Sequence, residues 1–500
     1  MGQEIEQEVF SEADYGKFAE QLQRDLAALA IVLDRPGFGA GAATIGIELE
    51  LNLIDKESQP LPRNREVLAA VDDSRVTLEL DRFNLEINGS PVALRGRPFT
   101  ALGTELTAVL ASLDRAAHSH GGRIAMIGIL PTLRTEHLQP EALTDAARYR
   151  ALAAGLQRLR QGPLRLCIDG EEPLELDFND VTLEGANTSL QVHLRVAAAD
   201  FADTYNAAQL AAAPVLACAG NSPLFLAHLL WPETRIALFR QSVEDRMELP
   251  DAQWRPARVS FGHGWVRRSA YELFAESALL HSPLLPVATA EPDAVAAARA
   301  GKVPTLPALR LHHGTLWRWN RAVYDPHDSG HLRIELRSLP AGPTVSDMLA
   351  NSAFALGLTL GLQPQINPLL TTLTFGQARR NFYAAARYGL GAMLLWPSAS
   401  IPSPQPVPAA DLILQLLPLA REGLVAAGVE STEADSLLAV VAARARSGQT
   451  GAAWQRRTLA ALESRMPRTQ ALAAMLERYL ACAKTAAPVH SWPCADPLRP

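Results

Sequence analysis

The sequence has few cysteines and no excess of positive charge, and each shortage argues against a class of protein. Its four cysteines, Cys167, Cys218, Cys482 and Cys494, are far apart and form no CxxC pair. This spacing argues against a thiolate zinc site or a disulfide scaffold, so we expect free thiols in a reducing compartment. Lys and Arg number 46 against 53 Asp and Glu, so we expect no nucleic-acid partner and no attraction to anionic membranes.

The sequence also lacks the common phosphate-binding and nucleophile motifs. It contains no GxxxxGK[ST] loop, no GxGxxG turn and no GxSxG turn, so neither a P-loop, a Rossmann site nor a serine nucleophile can be claimed. Its two longest apolar stretches, 206–231 and 344–362, are interrupted by polar residues, which favours buried helices over membrane spans. The acidic amino terminus is unlike a secretory signal, and we therefore expect a cytoplasmic protein.

What the sequence does contain is a long alternation of strands and helices. A leading helix is predicted over 11–34, with a Pro-rich linker at 401–411 and a helical tail from 410 to about 485. We divide the chain into an amino-terminal helical segment (1–40), a catalytic domain (41–400) and a linker with a C-terminal helical extension (401–500). Because the strands alternate cleanly between apolar and polar residues, the fold class is α+β with a mainly antiparallel sheet. The predicted strands are 44–54, 76–88, 123–130, 174–178, 189–196, 315–320 and 331–339, and the predicted helices in this part are 99–120, 145–161, 203–219 and 344–361.

Acidic residues occupy the polar face of the first strand, TIGIELELNLI, where Glu48 and Glu50 are two positions apart. Like charges are unfavourable neighbours on a strand, so their recurrence needs a reason. In VTLELDRFNLEIN, Glu79 and Glu86 lie in opposite phases of the alternation, and a bulge or bend near Arg82 is required if both are to face the same way.

Two further strands supply ionisable groups to the same kind of face. SLQVHLRV carries His193, and HLRIELRSL carries Glu335 between Arg333 and Arg337. Clustered carboxylates are best neutralised by hard divalent cations, so we predict Mg²⁺ or Mn²⁺, with zinc less favoured because the set has one histidine and no cysteine. The flanking arginines suit a phosphate chain held between cations, which indicates nucleotide chemistry.

Six sequence blocks recur in a recognisable order: GIELE (46–50), LELDRFNLEIN (78–88), SLQVHL (189–194), AGNSP (219–223), WRWNR (317–321) and RIELRSLPAGPT (333–344). In order and spacing they resemble the glutamate-cysteine ligase family, specifically its second bacterial group of carboxylate-amine ligases. The resemblance covers about 41–395, and the C-terminal 100 residues lie outside it. It implies a catalytic domain of the glutamine-synthetase type, with a curved, mainly antiparallel sheet and helices on the outer face.

The resemblance also implies roles for individual residues. It implies ATP and Mg²⁺ (or Mn²⁺) as cofactors, and glutamate and an amine such as cysteine as substrates, as in glutathione biosynthesis. Glu335 and Arg337 are the expected catalytic residues, Arg337 acting on the transferring phosphoryl group. The other expected sites are metal ligands at Glu48, Glu50, Glu79, Glu86, His193 and Glu335; nucleotide contacts at Arg333, Arg337, Trp319 and Arg321; and contacts to the acidic substrate at Asn221 and Arg240, with Arg235 as a rival for Arg240.

Two alternatives remain open at this stage. The first keeps the ligase chemistry and changes the amine, because the sequence carries no signature for cysteine. The second is a non-catalytic protein that binds a nucleotide as a sensor or scaffold, against which the complete set of six predicted metal ligands argues. The oligomeric state is also open, with a homo-oligomer as one option.

Overall fold

The computed structural model describes residues 5–160, 162–178, 181–246, 255–289, 293–397 and 403–493. Within these ranges the helices are α1 (Glu12–Leu33), α2 (Asn64–Ala70), α3 (Pro98–Ser119), α4 (Ala147–Arg160), α5 (Thr182–Gly185), α6 (Phe201–Ala219), α7 (Thr234–Ser242), α8 (Tyr271–Leu280), α9 (Ala294–Arg299), α10 (Pro307–His313), α11 (Val345–Leu362), α12 (Ile366–Thr372), α13 (Phe375–Tyr388), α14 (Ala409–Ala426), α15 (Ser431–Ser447), α16 (Gly451–Glu463) and α17 (Arg468–Ala483). The strands are β1 (Thr44–Ile54), β2 (Val76–Leu78), β3 (Asn84–Asn88), β4 (Val92–Ala93), β5 (Arg123–Ala125), β6 (Leu164–Ile168), β7 (Leu174–Phe178), β8 (Ser189–Val196), β9 (Leu224–Phe225), β10 (His228–Leu229), β11 (Val259–Ser260), β12 (Trp317–Arg318), β13 (Asn320–Asp325), β14 (His331–Pro340), β15 (Met393–Trp396) and β16 (Gln405–Pro408).

The principal sheet has eight strands, and its main path runs in the order β13-β14-β8-β1-β3-β2, with β4 and β5 also paired to β1. Every pairing in this sheet is antiparallel. The predicted α+β class with a mainly antiparallel sheet is therefore confirmed. The long alternating segments predicted as strands at 44–54, 189–196 and 331–339 form the centre of this sheet as β1, β8 and β14.

The apolar face of the sheet belongs to the main hydrophobic core. Leu49 of β1, Val192 of β8 and Ile334 of β14 are each fully buried and belong to one cluster with residues of α6 and α11. Burial of such side chains stabilises a fold by roughly 1.5–3 kcal/mol each. Because alternate residues of a strand face opposite sides, this packing leaves the polar residues of the same strands together on the other face.

The alternation breaks between β2 and β3, as predicted from the sequence. β2 ends at Leu78, residues 82 and 83 form a turn, and the backbone N–H of Asn84 donates to the carbonyl of Asp81 at 2.8 Å. The break is thus a turn in place of a bulge. Thr77 of β2 lies opposite Glu86 of β3, and Glu79 is two residues beyond Thr77. The reversal of the chain at the turn therefore brings Glu79 to the same side as Glu86.

The C-terminal helices pack closely on this body. Helix α14 lies against α11 at a glycine contact, where any side chain at Gly423 would collide with the carbonyl oxygen of Gly357. In the predicted linker, residues 401 and 402 lie outside the described part, but Gln405–Pro408 forms a strand paired with β15, and α14 begins at Ala409. The predicted linker is thus largely ordered secondary structure, while the proposed domain boundary at residue 400 stays a prediction.

Two expectations about burial and thiols can be compared with the structure. Among the described residues, one helical segment, Val345–Thr372, is long and apolar enough to cross a membrane, but 78% of its apolar window is buried inside the protein. Such burial is typical of a core helix and gives no evidence for a membrane location. Cys167, Cys218 and Cys482 are free thiols, whereas Cys494 lies outside the described residues.

Candidate active site

The polar face of the principal sheet brings most of the predicted site residues together. In the register of the strands, Glu50 lies opposite Glu86, and His193 lies opposite Glu335. Side chains of directly opposite residues share one face of an antiparallel sheet. The four strands singled out by their sequence therefore supply one continuous surface.

Three carboxylates converge at one end of this surface. Glu50, Glu79 and Glu86 each offer an oxygen, and these oxygens lie within 4.8 Å of one another. Burial raises the pKa of Glu79 well above its usual value, and the charges of Glu86 and Glu50 raise it further. Burial, together with the charges of Glu48 and Glu50, raises the pKa of Glu86 to about 7. An oxygen-only group with such repulsion fits a hard divalent cation.

Glu48 and His193 form a pair beside this cluster. The Nε2 atom of His193 lies 3.1 Å from an oxygen of Glu48, and both side chains are largely buried. Burial raises the pKa of Glu48, but the neighbouring His193 more than offsets this effect and the resulting pKa is about 2. Of these predicted metal ligands, Glu48 and His193 are thus paired with each other, whereas Glu50, Glu79 and Glu86 converge on one another.

The other end of the surface is basic. Arg321 approaches Glu335 with both ends of its guanidinium fork, at 3.1 and 2.8 Å, and Arg337 also donates to Glu335. Burial raises the pKa of Glu335, but the charges of Arg321, Arg337 and His193 hold it well below its usual value. Glu335 is therefore ionised and neutralised by protein cations.

Gln191 connects the two ends. Its amide N–H donates to Glu50 at 2.9 Å, and its carbonyl oxygen accepts from Arg337. The sequence analysis did not assign Gln191 a role, although it shares the strand phase of His193. The position of Gln191 two residues before His193, on the same face of β8, is the feature of the sequence that could have identified it.

Glu184 is a second acidic residue that the sequence analysis missed. It lies on the four-residue helix α5, which has no periodicity from which to infer a face. Burial and the charge of Glu50 raise its pKa to about 7, against the opposing charges of Arg337 and Arg148. Burial lowers the pKa of Arg148, and the charges of Glu79 and Glu184 oppose this effect.

The predicted substrate residues are not equivalent. Arg240 is exposed and lies over the ring of Tyr383, with 5.5 Å from guanidinium carbon to ring centroid. Arg235 is buried, and its pKa and that of Glu50 each respond to the charge of the other. The structure therefore favours Arg235 over Arg240 as the cation next to the carboxylates.

Asn221 is fully buried, and its side chain is fully engaged by the protein. Its amide N–H groups donate to the carbonyl of Ala341 and to the hydroxyl of Tyr479, both at 2.8 Å, and its oxygen accepts from Gln455 at 2.9 Å. Both of its N–H groups are used by the protein in this arrangement, and the role expected for Asn221 as a substrate contact stays a prediction.

The predicted nucleotide contacts also differ from one another. Trp319 is buried in an aromatic cluster with Phe239 and Phe382, so its contribution is to packing beside the site rather than to an open surface. Arg333 lies on the same strand face as Glu335, but its guanidinium is 2.6 Å from a carboxylate oxygen of Asp325. Of the predicted nucleotide residues, Arg321 and Arg337 are the two that contact Glu335.

Comparison with known proteins decides the family. The family model described as glutamate-cysteine ligase family 2 matches residues 44–477. The chain belongs to this family. The match extends beyond residue 395, so the resemblance seen in the sequence was drawn too short and the C-terminal helices α14 to α16, with most of α17, are included. No curated protein matches the chain significantly.

One solved structure agrees with this assignment at the level of the fold, and a second, less similar one is given for comparison. The glutamate–cysteine ligase of Francisella tularensis, solved in complex with AMP, is 10% identical, with 92% of each chain covered and a TM-score of 0.51. A bifunctional glutathione synthetase from Pasteurella multocida is 12% identical, with 94% of this chain and 54% of that chain covered and a TM-score of 0.46. Membership of the family makes the chain an ATP-dependent carboxylate-amine ligase.

Proposed function

We propose that this ligase joins the side-chain carboxylate of glutamate to the amine of cysteine through an acyl phosphate. A free carboxylate does not react with an amine in water, because oxide is not a viable leaving group. In the proposed sequence a carboxylate oxygen attacks the γ-phosphorus of ATP and ADP leaves. The amine then attacks the acyl carbon, phosphate leaves with the electron pair of the broken bond, and the amine loses a proton.

The single observation that carries the proposal is the contrast along the polar face. Three carboxylates, Glu50, Glu79 and Glu86, converge within 4.8 Å of one another, and two arginines, Arg321 and Arg337, meet at Glu335 beside them. A phosphate chain needs cations on both sides, and this arrangement supports one side from a bound metal and the other from guanidinium groups.

The donor set fits Mg²⁺ or Mn²⁺. Glu50, Glu79 and Glu86 would hold one ion, and Glu48, His193 and Glu335 supply further donors. When bound, such an ion neutralises charge on the phosphate oxygens of ATP. Burial raises the pKa of Glu50, and burial together with the charges of neighbouring carboxylates raises the pKa of Glu79 and Glu86. Ligation therefore also relieves an unfavourable arrangement of charge.

Arg337 is the proposed catalytic arginine. Its guanidinium is held by Gln191 and Glu335, which fixes its orientation before substrate binds. A preorganised cation directed at the transferring phosphoryl group stabilises charge that develops in the transition state, an effect worth several kcal/mol. Glu335 orients both Arg337 and Arg321, and no covalent intermediate with the protein is required.

Arg235 is the proposed contact for the acidic substrate, and Arg240 is the weaker candidate. The buried Arg235 is close enough to Glu50 for their charges to interact, whereas Arg240 is exposed beside Tyr383. A guanidinium fork matches a carboxylate in geometry as well as in charge. Glutamate bound there would lie next to the proposed metal site.

Phosphate release from ATP, measured with glutamate and a panel of amines, tests this function. Release and a ligated product with cysteine alone support the proposal. Product with a different amine keeps the chemistry and replaces the acceptor. Absence of ATP turnover with every amine, in the presence of Mg²⁺ or Mn²⁺, contradicts catalysis and supports a nucleotide-binding scaffold.

A further inference from the structure

A chain of buried polar contacts runs from the C-terminal helices to the candidate site. Tyr479, on α17, donates its hydroxyl hydrogen to the carbonyl of Met126 at 2.9 Å and accepts from the side chain of Asn221 at 2.8 Å. Gln455, on α16, donates to the side-chain oxygen of Asn221 at 2.9 Å. Two helices of the C-terminal segment thus hold one asparagine of the central body.

The chain continues from the backbone of Asn221. Its N–H donates to one carboxylate oxygen of Glu233 at 2.8 Å, and the other oxygen of Glu233 lies 3.0 Å from Nε of Arg235. Arg235 also donates to the carbonyl of Ser338, on β14, at 2.6 Å. The side chains of Glu233 and Arg235 are 0% and 3% exposed, so this ion pair is shielded from solvent.

The pair lies next to the strand that carries Arg337, since Arg235 donates to the carbonyl of Ser338, the following residue of β14. The charge of Arg235 acts on Glu50, and its guanidinium carbon is 6.0 Å from the centroid of the ring of Trp319. A buried ion pair is weak evidence for stability, because desolvation offsets much of the attraction. It is better suited to holding a side chain in one orientation, which is what a substrate-binding guanidinium requires.

We propose that Tyr479, Asn221 and Glu233 are positioning residues that fix the orientation of Arg235 for the acidic substrate. The inference rests on the proposed function, since it takes Arg235 as the contact to the substrate carboxylate. It gives the C-terminal helices a defined part in the site, because without Tyr479 and Gln455 the loop that carries Asn221 loses its support on that side.

Substitution of Tyr479→Phe tests the proposal with the smallest change in volume. Tyr324→Phe is the matched control, since Tyr324 is also buried and its hydroxyl donates to a backbone carbonyl, that of Pro304, at 2.7 Å. Mutation of a residue that orients a metal ligand typically costs about 10–100-fold in affinity or activity, and we take the lower end of this range for a residue that orients a substrate-binding arginine. We expect Tyr479→Phe to raise KM for glutamate about tenfold, with little change in kcat or in KM for ATP.

The control variant should keep the wild-type KM for glutamate. Glu233→Gln provides a second variant in case the first fails to fold, and we expect its KM for glutamate to rise at least as much. Circular dichroism and thermal unfolding establish that each variant is folded. Calorimetric binding of L-glutamate gives a measurement that does not depend on turnover.

The outcomes separate the two hypotheses. If the wild type is active and Tyr479→Phe and Glu233→Gln bind glutamate as the wild type does, the positioning role is overturned and the proposed function stands. If kcat and both KM values change to the same extent in Tyr479→Phe and Tyr324→Phe, the role of Tyr479 is merely structural and the proposal is also overturned. If the wild type neither turns over ATP nor binds glutamate, the proposed function fails and the positioning role fails with it.

Discussion

The two ends of the polar face hold carboxylates in opposite electrostatic states. At one end, Glu335 lies between Arg321 and Arg337, and its pKa is held well below the usual value although burial opposes this. At the other end, Glu79 and Glu86 are buried with like charges as neighbours, and their pKa values are raised. Both groups lie on the same sheet, so the difference does not arise from the fold class.

This difference in pKa indicates which end has its charge balanced by the protein itself and which end needs a bound cation. Carboxylates paired with arginine have their charge neutralised by the protein, and the bonds between them are suited to orienting those arginines. Carboxylates that face one another gain most from a bound divalent cation. A single sheet face can therefore hold both the metal side and the guanidinium side of a phosphate-binding site, and the variants below alter one side at a time.

The largest expected effect comes from the acidic end. We expect Glu50→Gln to reduce metal-dependent ATP turnover by about 10³-fold, since loss of a ligand forfeits several kcal/mol of charge stabilisation. Its fold should persist, because removing one of several repelling charges does not destabilise the sheet. Steady-state turnover with and without Mg²⁺, with EDTA as the metal-free reference, measures this effect.

Glu175→Gln is the matched control for the acidic end. Glu175 is an exposed carboxylate on strand β7, which pairs with β6 in a two-stranded sheet separate from the principal sheet, and we expect its variant to turn over at the wild-type rate. Unchanged turnover in Glu50→Gln would contradict the assignment of the acidic end as the metal site.

A smaller effect is expected at the basic end. Arg337→Lys keeps the positive charge but loses the planar fork that contacts both Gln191 and Glu335. We expect kcat to fall about 10²-fold with little change in the affinity for Mg²⁺, as measured by the metal dependence of the rate. A shift in metal affinity as large as that in Glu50→Gln would show that the two ends do not act separately.

The pH dependence of stability should also differ between the ends. The pKa of Glu86 is raised from 4.5 to about 7, so between these values the folded state holds a proton that the unfolded chain has released. Its contribution to stability is therefore present at low pH and is lost as pH rises through about 7. Glu48, with a pKa lowered from 4.5 to about 2, has the opposite sign and loses its contribution as pH falls towards 2.

Thermal unfolding of Glu86→Gln without metal measures how the contribution of Glu86 to stability changes with pH. At about pH 4, below both pKa values, the variant and the wild type should unfold at similar temperatures, whereas at about pH 8 the variant should be more stable by a few degrees. Mg²⁺ should stabilise the wild type more than the variant at the higher pH. A variant that is less stable than the wild type at about pH 8 without metal would contradict the raised pKa.

The smallest effect is expected from Arg240, which tests which arginines belong to the site. Arg240→Ala should change KM for glutamate by no more than about twofold, since surface substitutions away from a site are close to neutral. Arg235→Lys should raise KM by about tenfold or more, because the guanidinium fork is lost. Initial-rate measurements at varied glutamate compare the two, and a larger effect at Arg240 would reverse their assignment.

Much of this arrangement could be predicted from alternation along single strands. The phases of β1, β8 and β14 placed Glu48, Glu50, His193 and Glu335 on one face, and the register confirms that these strands are neighbours. Glu79 required a break near Arg82, which exists as a turn. Alternation succeeds here because a strand with one apolar face has only one orientation that buries it.

Other features of the site could not be predicted from the pattern of neighbouring residues in the sequence. Asn221 lies in a motif of the family, yet its side chain is taken up by Tyr479 and Gln455, which are more than 200 residues away in the chain. Glu184 lies on a helix too short to show a period. Contacts of this kind depend on how distant segments pack, which no window of neighbouring residues records.

The sequence by itself determined which residue types share a face, because side-chain direction in a strand follows from backbone geometry. It thereby specified an acidic and basic surface suited to a metal and a nucleotide. Only the tertiary structure decided which carboxylates face arginines and which face one another, and that Arg235 is buried beside Glu50 while Arg240 is exposed. These positions depend on strand register and on helix packing between segments far apart in the chain. Many contacts contribute to the free energy of that packing, so no short stretch of sequence determines it.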